Sequence, residues 1–373
     1  MTALSLTLPY FAGNSQVTRR GFCGQIGWFW VGAPTKDPDR LQNLATLADV
    51  ARESGFSQIT VSRVIRNWGS ISESTRQRVQ AAIARVGYVP NRIAGALASA
   101  RSDLVGVIIP SLTNIVYPDV LRGLHDALCD RGLLPVVSVT GYSVRLEERL
   151  VQSLLALRPA AMILTGRQHS KATTQMLRRA GVTIIEIMDS DGAPIDVSIG
   201  MSHRRAAKAS AEYLLRRGYR RFGYVGHEGA HRDLRAHRRR ASFLEAVRAA
   251  GADVLHEEIE LGASSVPAGR AALARLLAKQ PNIEAVYFSN DDMAIGGAHH
   301  CLAHGISTPD DLALFGFNGL DIGQTMAKPL STLLTYRYEI GVLAGRAILT
   351  RLNNEKIDLR TDVGFKLIEG ATA

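Results

Sequence analysis

From residue 102 onward, short continuous apolar runs alternate with amphipathic stretches. LVGVIIP (104–110), LPVVSVT (134–140), AAMILT (160–165) and VTIIEIM (182–188) are separated by helical patterns over Asn114–Arg131, Arg145–Leu157 and Ser170–Ala180. A strand apolar on both faces is a strand covered on both faces, and helices between such strands make the pairing parallel. A second series follows. FGYVG (222–226), a helical stretch near Ala241–Ala250, EAVYFS (284–289) and LALFGF (312–317) are its clearest members. The pattern predicts an α/β core of two doubly wound subdomains, with a cleft where the carboxyl ends of the strands collect polar residues. Subdomain 1 is expected over about 103–200 and 318–335, and subdomain 2 over about 201–317 and 336–373.

The polar residues just after those strands are Ser111, Thr113, Asn114, Arg167, Asp189, Ser190, Asn290, Asp291, Asp292 and Asn318. Taken singly, each reads as a helix cap or turn residue. Their shared position at strand ends makes them candidates for holding a small ligand.

Ahead of the core, residues 44–90 follow a different period. Leu47, Val50 and Ala51 form one apolar stripe, and Ala51 precedes Gly55 by four residues, a spacing that lets two helices meet across a tight turn. Ser57 is a good N-cap for the next helix. In SQITVSRVIRN (57–67), Val61, Val64 and Ile65 fall at i, i+3 and i+4 and can face a core, while Gln58, Ile59, Ser62 and Arg63 point elsewhere. A third helix is expected from about Ser74 to Val86, with Gly87 at its C-cap. Three short helices around one core make a helix-turn-helix unit. Between Leu44 and Arg101, arginines outnumber acids by five, and the whole chain carries a formal charge of +10. Such an excess fits a polyanionic partner and an acidic membrane surface equally well, and charge alone does not choose between them.

DVARESGFSQITVSRVIRN followed by YVPNRIAGALAS resembles the head and hinge of the LacI/GalR family of bacterial transcription repressors, and the similarity continues along nearly all of residues 46–370. The resemblance implies that Gln58 and Ile59 read base edges in the major groove, with Ser57, Thr60, Ser62 and Arg63 supplying phosphate or further base contacts. It also implies a hinge over residues 91–102, in which Asn91, Arg92, Ala94 and Leu97 meet DNA and Leu97 wedges into a minor-groove base step. The stretch Asn91–Ser99 is shorter than the roughly 12 to 15 residues an isolated helix needs, so it should order only on DNA. For the core, the resemblance implies that Asp291 in SNDDMAIG and Arg239 in RRRASF contact the effector, as their counterparts in the family do. Ser242 stands where the family usually has glycine, and Ile59 where it often has a polar or aromatic residue; Ile offers only apolar contact, for example to a thymine methyl.

A narrower resemblance lies in IIPSLTN, LTGRQHS, EIMDS and GFNGLDIGQ, which are similar to the gluconate-utilisation repressors of that family. It implies a sugar-acid effector such as gluconate or 2-ketogluconate, with Arg239 and Arg167 gripping the carboxylate. A different sugar or metabolite is the alternative. The expected partners are a near-palindromic double-stranded operator, the small effector and a second copy of the chain. No cofactor and no metal are expected, and the chain is placed in the cytoplasm, at the nucleoid.

Other classes fit less well. The sequence has no G-x-S-x-G elbow, H-E-x-x-H or Walker A motif. Cys23, Cys129 and Cys301 match no metal spacing and leave one thiol unpaired in any disulfide scheme, which fits a reducing compartment. No apolar run approaches the roughly 20 residues needed to span a bilayer. Residues 1–43 show no sustained period and no convincing cleavage site. They read either as a disordered extension or as a start assigned too far upstream. An exported sugar-binding receptor would share the core fold, but the head and the missing signal peptide argue against it.

Overall fold

A computed structural model describes residues 45–89, 102–228 and 233–373. The chain divides into two compact units at Pro90 and Asn91.

The first unit contains α1 (Leu47–Ser54), α2 (Gln58–Ile65) and α3 (Glu73–Val86). Each begins on a side-chain cap that satisfies a first-turn amide: Thr46 accepts from Asp49, Ser57 from Thr60 and Ser72 from Thr75. Thr46 and Asp49 close a full capping box, with Asp49 Oδ2 2.9 Å from the Thr46 amide. Gly55, at φ 75°, supplies the left-handed residue that turns α1 into α2. Val50, Val61, Val64, Val79 and Ala82 form the buried centre, with Leu47, Phe56, Ile71 and Ile83 packed around it. Arg78 ties the turn to α3, since its guanidinium lies over the Phe56 ring and donates to Ser54 O at 3.2 Å.

The second unit opens with β1 (Leu104–Ile109), α4 (Val116–Leu128), β2 (Leu134–Val139), α5 (Val144–Ala156), β3 (Ala161–Thr165), α6 (Lys171–Arg179), β4 (Thr183–Ile187) and β5 (Val197–Gly200). It continues with α7 (His203–Arg216), β6 (Arg221–Glu228), α8 (Leu234–Ala249), β7 (Asp253–Leu261), α9 (Val266–Lys279), β8 (Ala285–Phe288), α10 (Asp291–Ala303) and β9 (Ala313–Phe315). It ends with α11 (Asp321–Gln324), β10 (Thr332–Thr335), α12 (Arg337–Leu352), β11 (Arg360–Asp362) and β12 (Phe365–Ile368). Two parallel sheets result, in strand orders β11-β5-β4-β3-β1-β2 and β7-β6-β8-β9, with an antiparallel β10-β12 pair. Both are helix-covered α/β sheets, and the apolar runs of the sequence are strands of them, with LPVVSVT (β2) and LALFGF (β9) at sheet edges and the others inside.

The division of the last fifty residues differs from the expectation. Residues 318–335 belong to the second subdomain: Leu330 and Leu333 are buried in its clusters, and Gly316 N bonds to Ser331 O. By contrast, α12 belongs to the first, because Ile340, Ala344 and Ile348 pack with Val120, Leu124 and Leu128 of α4. Glycine makes this crossing close. A Cβ on Gly123 would stand 2.1 Å from Tyr338 O, and one on Gly341 2.0 Å from Val120 O. The chain then adds β11 beside β5 and returns to the second subdomain, where Ala373 is buried. Three crossings therefore join the halves, at about residues 201, 336 and 363. Alternation of strand and helix carries no signal for them, because it is the same in either half.

Candidate functional site

Two surfaces gather the polar residues singled out by the sequence, one in each unit. On α2, Val61 and Val64 are buried, and this fixes the opposite side toward solvent. Ser57, Gln58, Ile59 and Arg63 are exposed, and Thr60 and Ser62 are half-buried. Ile59 is 69% exposed, a large apolar side chain left in water among polar neighbours. The Ser57 and Thr60 hydroxyls lie 3.0 Å apart, and the Ser62 hydroxyl accepts from Arg66 at 2.8 Å. Asn91, Arg92, Ala94 and Leu97 lie outside the described residues.

In the core, the carboxyl ends of both sheets face each other across a cleft with two adjoining cavities. The larger, about 230 Å³, is lined from the first subdomain by Ser111, Thr113, Asn114 and Tyr142, and from the second by His227, Ser264, Asn290, Asp292 and Asn318. The smaller, about 90 Å³, is lined by Thr140, Glu147, Arg167 and Asp189 on one side and by Asp233, Arg235 and Arg238 on the other. Tyr142 and Asp233 border both. Tyr142 (φ 63°) and Asn318 (φ 123°) sit in the left-handed region without being glycine, as does Met188 (φ 69°) just before Asp189. Such backbone strain costs roughly 1–3 kcal/mol per residue and persists where the surroundings over-determine it, commonly at ligand clamps.

The charges of the small cavity are mostly paired. Asp233 accepts from the Arg235 amide at 3.0 Å, from its Nε at 3.2 Å and from its NH2 at 3.1 Å. Burial alone would raise the Asp233 carboxyl, but the Arg235 charge outweighs it and holds the group well below the usual carboxylate range. Arg235 also donates to the Tyr117 hydroxyl at 2.6 Å, a bond between subdomains. Arg238 reaches across the cleft to Asp189 Oδ2 at 2.5 Å. Burial pushes the Asp189 carboxyl up, against the pull of the Asp191 amide and Arg238.

Glu147 is taken by His169, whose Nδ1 lies 2.7 Å from Glu147 Oε1. Its Nε2 stands 3.5 Å from Glu186 Oε1, near enough for attraction between charges though not aligned as a hydrogen bond. Burial lowers the imidazole's proton affinity, but the two carboxylates reverse this and raise it to about 9, so the ring is a buried cation at neutral pH. Among the described residues lining either cavity, this leaves Arg167 as the one cation without an acid partner. Its NH1 is buried with no hydrogen-bond partner. At the other end, Asp292 has no cationic partner among the described residues and accepts only from Ser264 Oγ at 2.5 Å and the Met293 amide at 2.9 Å. The cleft has a cationic end and an acidic end.

Two expected site residues lie behind the cavities. Arg239 is 6% exposed, lies 4.0 Å from the Phe317 ring centroid, and donates to Ser289 O at 3.2 Å and to His203 Nδ1 at 3.1 Å. His203 must be the Nε2–H tautomer, because Nε2 faces Met188 O at 2.8 Å and a carbonyl only accepts. Burial and then the Arg239 charge keep this ring neutral. Asp291 is fully buried and accepts from the Leu320 amide at 2.7 Å and Thr332 Oγ1 at 2.5 Å, and burial raises its carboxyl to about 6. Both brace the second subdomain where the chain doubles back; neither lines the open space. Arg235 and Arg238, not foreseen, take the positions Arg239 was expected to fill.

Residues 46–91 match the model for bacterial regulatory proteins of the lacI family, and residues 211–373 the periplasmic binding protein-like domain. The chain is 36% identical over 325 residues to the HTH-type transcriptional regulator GntR of Pseudomonas aeruginosa, spanning 87% of this chain and 94% of that one. It is 33% identical over 327 residues to the regulator of the same name from Escherichia coli strain K12, spanning 87% and 98%. The chain belongs to the LacI family. A crystal structure of a LacI-family regulator from Silicibacter pomeroyi superposes with a TM-score of 0.84 at 42% identity, covering 88% of this chain and 99% of that one. The lac repressor dimer bound to operator and an anti-inducer shares the fold, with a TM-score of 0.74 at 24% identity over 88% and 99%. As a LacI-family member, the protein is a DNA-binding transcriptional regulator, built from the helix-turn-helix unit and the periplasmic-binding-like core described above. Among the described residues, no helix is long and apolar enough to cross a membrane.

Proposed function

We propose that the protein represses a carbohydrate-utilisation operon and that a small sugar acid, such as gluconate or 2-ketogluconate, sets its affinity for the operator. The observation that carries the effector class is Arg167. It is the one cation of the cleft among the described residues without an acid partner, with a donor that has no partner, and a guanidinium grips a carboxylate through two parallel hydrogen bonds. Hydroxyls on the rest of the ligand would then meet Asp292, Asn290, Asn114, Ser111, Thr113 and Asn318 in the larger cavity. The sequence phrases shared with gluconate-utilisation repressors fall on these same loops, which supports the reading.

For DNA, the reading places α2 in the major groove. Gln58 and Ile59 meet base edges, Ser57, Thr60, Ser62 and Arg63 meet backbone or further bases, and Asn91, Arg92, Ala94 and Leu97 form the minor-groove hinge. A homodimer would present two copies to a near-palindromic site in the cytoplasm, at the nucleoid. A thermal-shift series tests the effector class. Gluconate or 2-ketogluconate at 100 times its dissociation constant should add about 2.7 kcal/mol to the native state, while glucose, which lacks the carboxylate, should add little. A glucose shift equal to that of the acids would overturn the assignment, as would no shift with either acid.

A further inference from the structure

Arg167 and Glu147 line the same cavity of about 90 Å³, yet they are not paired. One terminal nitrogen of the Arg167 guanidinium is buried without a hydrogen-bond partner, and Glu147 is drawn to His169 instead. Opposite charges facing one small cavity attract each other more strongly than they would in water, because little solvent screens them. Holding them apart requires a competing charge, and the loop after β3 supplies it.

That loop is fixed at both ends. Gly166, at φ 79°, makes the left-handed turn out of β3, and its amide donates to Ile187 O at 2.9 Å. Ser170 begins α6, accepting from the Thr173 amide at 2.9 Å, while its hydroxyl donates to Glu148 Oε2 at 2.7 Å. Between these ends Arg167 borders the cavity, whereas the His169 side chain is buried against α5 and β4. The Glu147 carboxylate lies 2.7 Å from Nδ1, and Glu186 Oε1 stands 3.5 Å from Nε2. Glu186 is anchored in turn by the Ile195 amide, which donates to its Oε2 at 2.6 Å. These two carboxylates are the charged groups that face the ring; Glu148 is turned to Ser170, and Lys171, the first residue of α6, is exposed. A neutral ring would leave Glu147 without a cation, and the cation left unpaired on the same cavity is Arg167.

We infer that His169 is a positioning residue for the effector site: its charge holds Glu147 in place and so keeps Arg167 open to a carboxylate ligand. The inference rests on the effector reading proposed above, in which Arg167 takes the carboxylate of the sugar acid. Released from His169, Glu147 is an internal competitor, an anion tethered beside the guanidinium at an effective concentration that a free ligand rarely matches. The effector response thereby acquires a pH dependence. Raised to about 9 by Glu147 and Glu186 against the opposing effect of burial, the ring is a cation at neutral pH. As pH rises through that value the ring loses its charge, Glu147 turns to Arg167, and effector binding is lost.

The test is calorimetric titration of the full chain with gluconate and with 2-ketogluconate. At neutral pH, His169→Gln should bind the acid roughly 10- to 150-fold more weakly, the equivalent of one charge-assisted contact. Glu147→Gln should bind as wild type does, and His169→Gln combined with Glu147→Gln should recover wild-type affinity, a rescue that a merely structural role would not give. Wild-type affinity should fall between pH 8 and pH 10, and Glu147→Gln should flatten that decline. A ligand-free readout separates this inference from the effector reading. In chemical denaturation, Arg167→Ala and Glu147→Gln should be additive in the wild-type background and coupled in the His169→Gln background, because the pair forms only there. Wild type that binds neither acid while this coupling appears would sink the effector reading and leave the positioning role standing. Additivity in both backgrounds, coupling in both, or a combined variant that binds as weakly as His169→Gln alone would overturn the inference. If His169→Gln fails to fold, the same cycle at pH 7 and pH 10 replaces it, with coupling expected only at pH 10 and its absence there counting against the inference.

Discussion

The buried His169 gives the core a measurable alkaline weakness. Its ring is 2% exposed and faces Glu147 from α5 and Glu186 from β4. With a folded-state value raised to about 9 against 6.5 for the free side chain, the protonated ring stabilises the native state. The contribution is fully present below 6.5 and is lost as pH rises through 9. Each unit of difference corresponds to about 1.36 kcal/mol, so integrating from pH 7 to pH 10 gives a loss of roughly 2.5 kcal/mol. For a core of this size, at roughly 2.1 cal/mol/K of unfolding entropy per residue, that amounts to a melting point lowered by about 4 °C. The assay is calorimetric melting of wild type and His169→Gln at pH 7, 8, 9 and 10. Lysine and tyrosine titration is common to both proteins and cancels in the difference. The gap between them should be largest at pH 7 and shrink toward pH 10. A gap that stays constant across the series would show that the clamp does not depend on the ring's charge, and the reasoning from geometry to charge would be wrong.

Other substitutions probe separate links. Gln58→Ala should change which base is preferred and cost about 1–3 kcal/mol on the natural operator, as read by binding selection from random duplexes; an unchanged preference profile would contradict the docking of α2. Phe243 stacks on Tyr287 at 4.3 Å between centroids and meets Phe222 edge-on at 5.9 Å, so Phe243→Ala should cost about 3–5 kcal/mol in chemical denaturation. Gly123→Ala should force α4 from α12 and cost about 1–3 kcal/mol, measured the same way; a neutral result would mean that the two helices separate freely.

The parts of the molecule that could be read from sequence are those governed by local rules. The three head helices announce themselves through the Ser57 N-cap, the glycines at 55 and 87 and apolar residues at helical spacing, whereas the caps at Thr46 and Ser72 emerged only from the structure. The central strands of both sheets are legible because burial on two faces demands continuous apolar runs. What escaped is decided over long distances. The fit of Gly123 against Tyr338 joins residues more than two hundred apart, and nothing near either one indicates it. The amino end of α8 reads DLRAHRRR, with almost no apolar stripe, so its start at Leu234 was hidden, and with it the facing of Arg235 and Arg238 toward the cleft. Arg239 and Asp291 carried family-derived expectations, yet the first stacks on Phe317 and the second bonds to Leu320 and Thr332. That Arg167 is left unpaired beside the cavity depends on three separate ion pairs forming around it, which no linear motif encodes.

The most direct test of the account is a fluorescence-anisotropy titration of operator duplex with and without gluconate or 2-ketogluconate, in wild type and Arg167→Ala. Effector coupling of about 1–3 kcal/mol corresponds to a change in operator affinity of roughly 5- to 150-fold. Wild type should show such a change with at least one of the acids, whereas Arg167→Ala should bind the operator as tightly as wild type and respond to neither. A wild type indifferent to both acids, or an Arg167→Ala protein that responds in full, would contradict it.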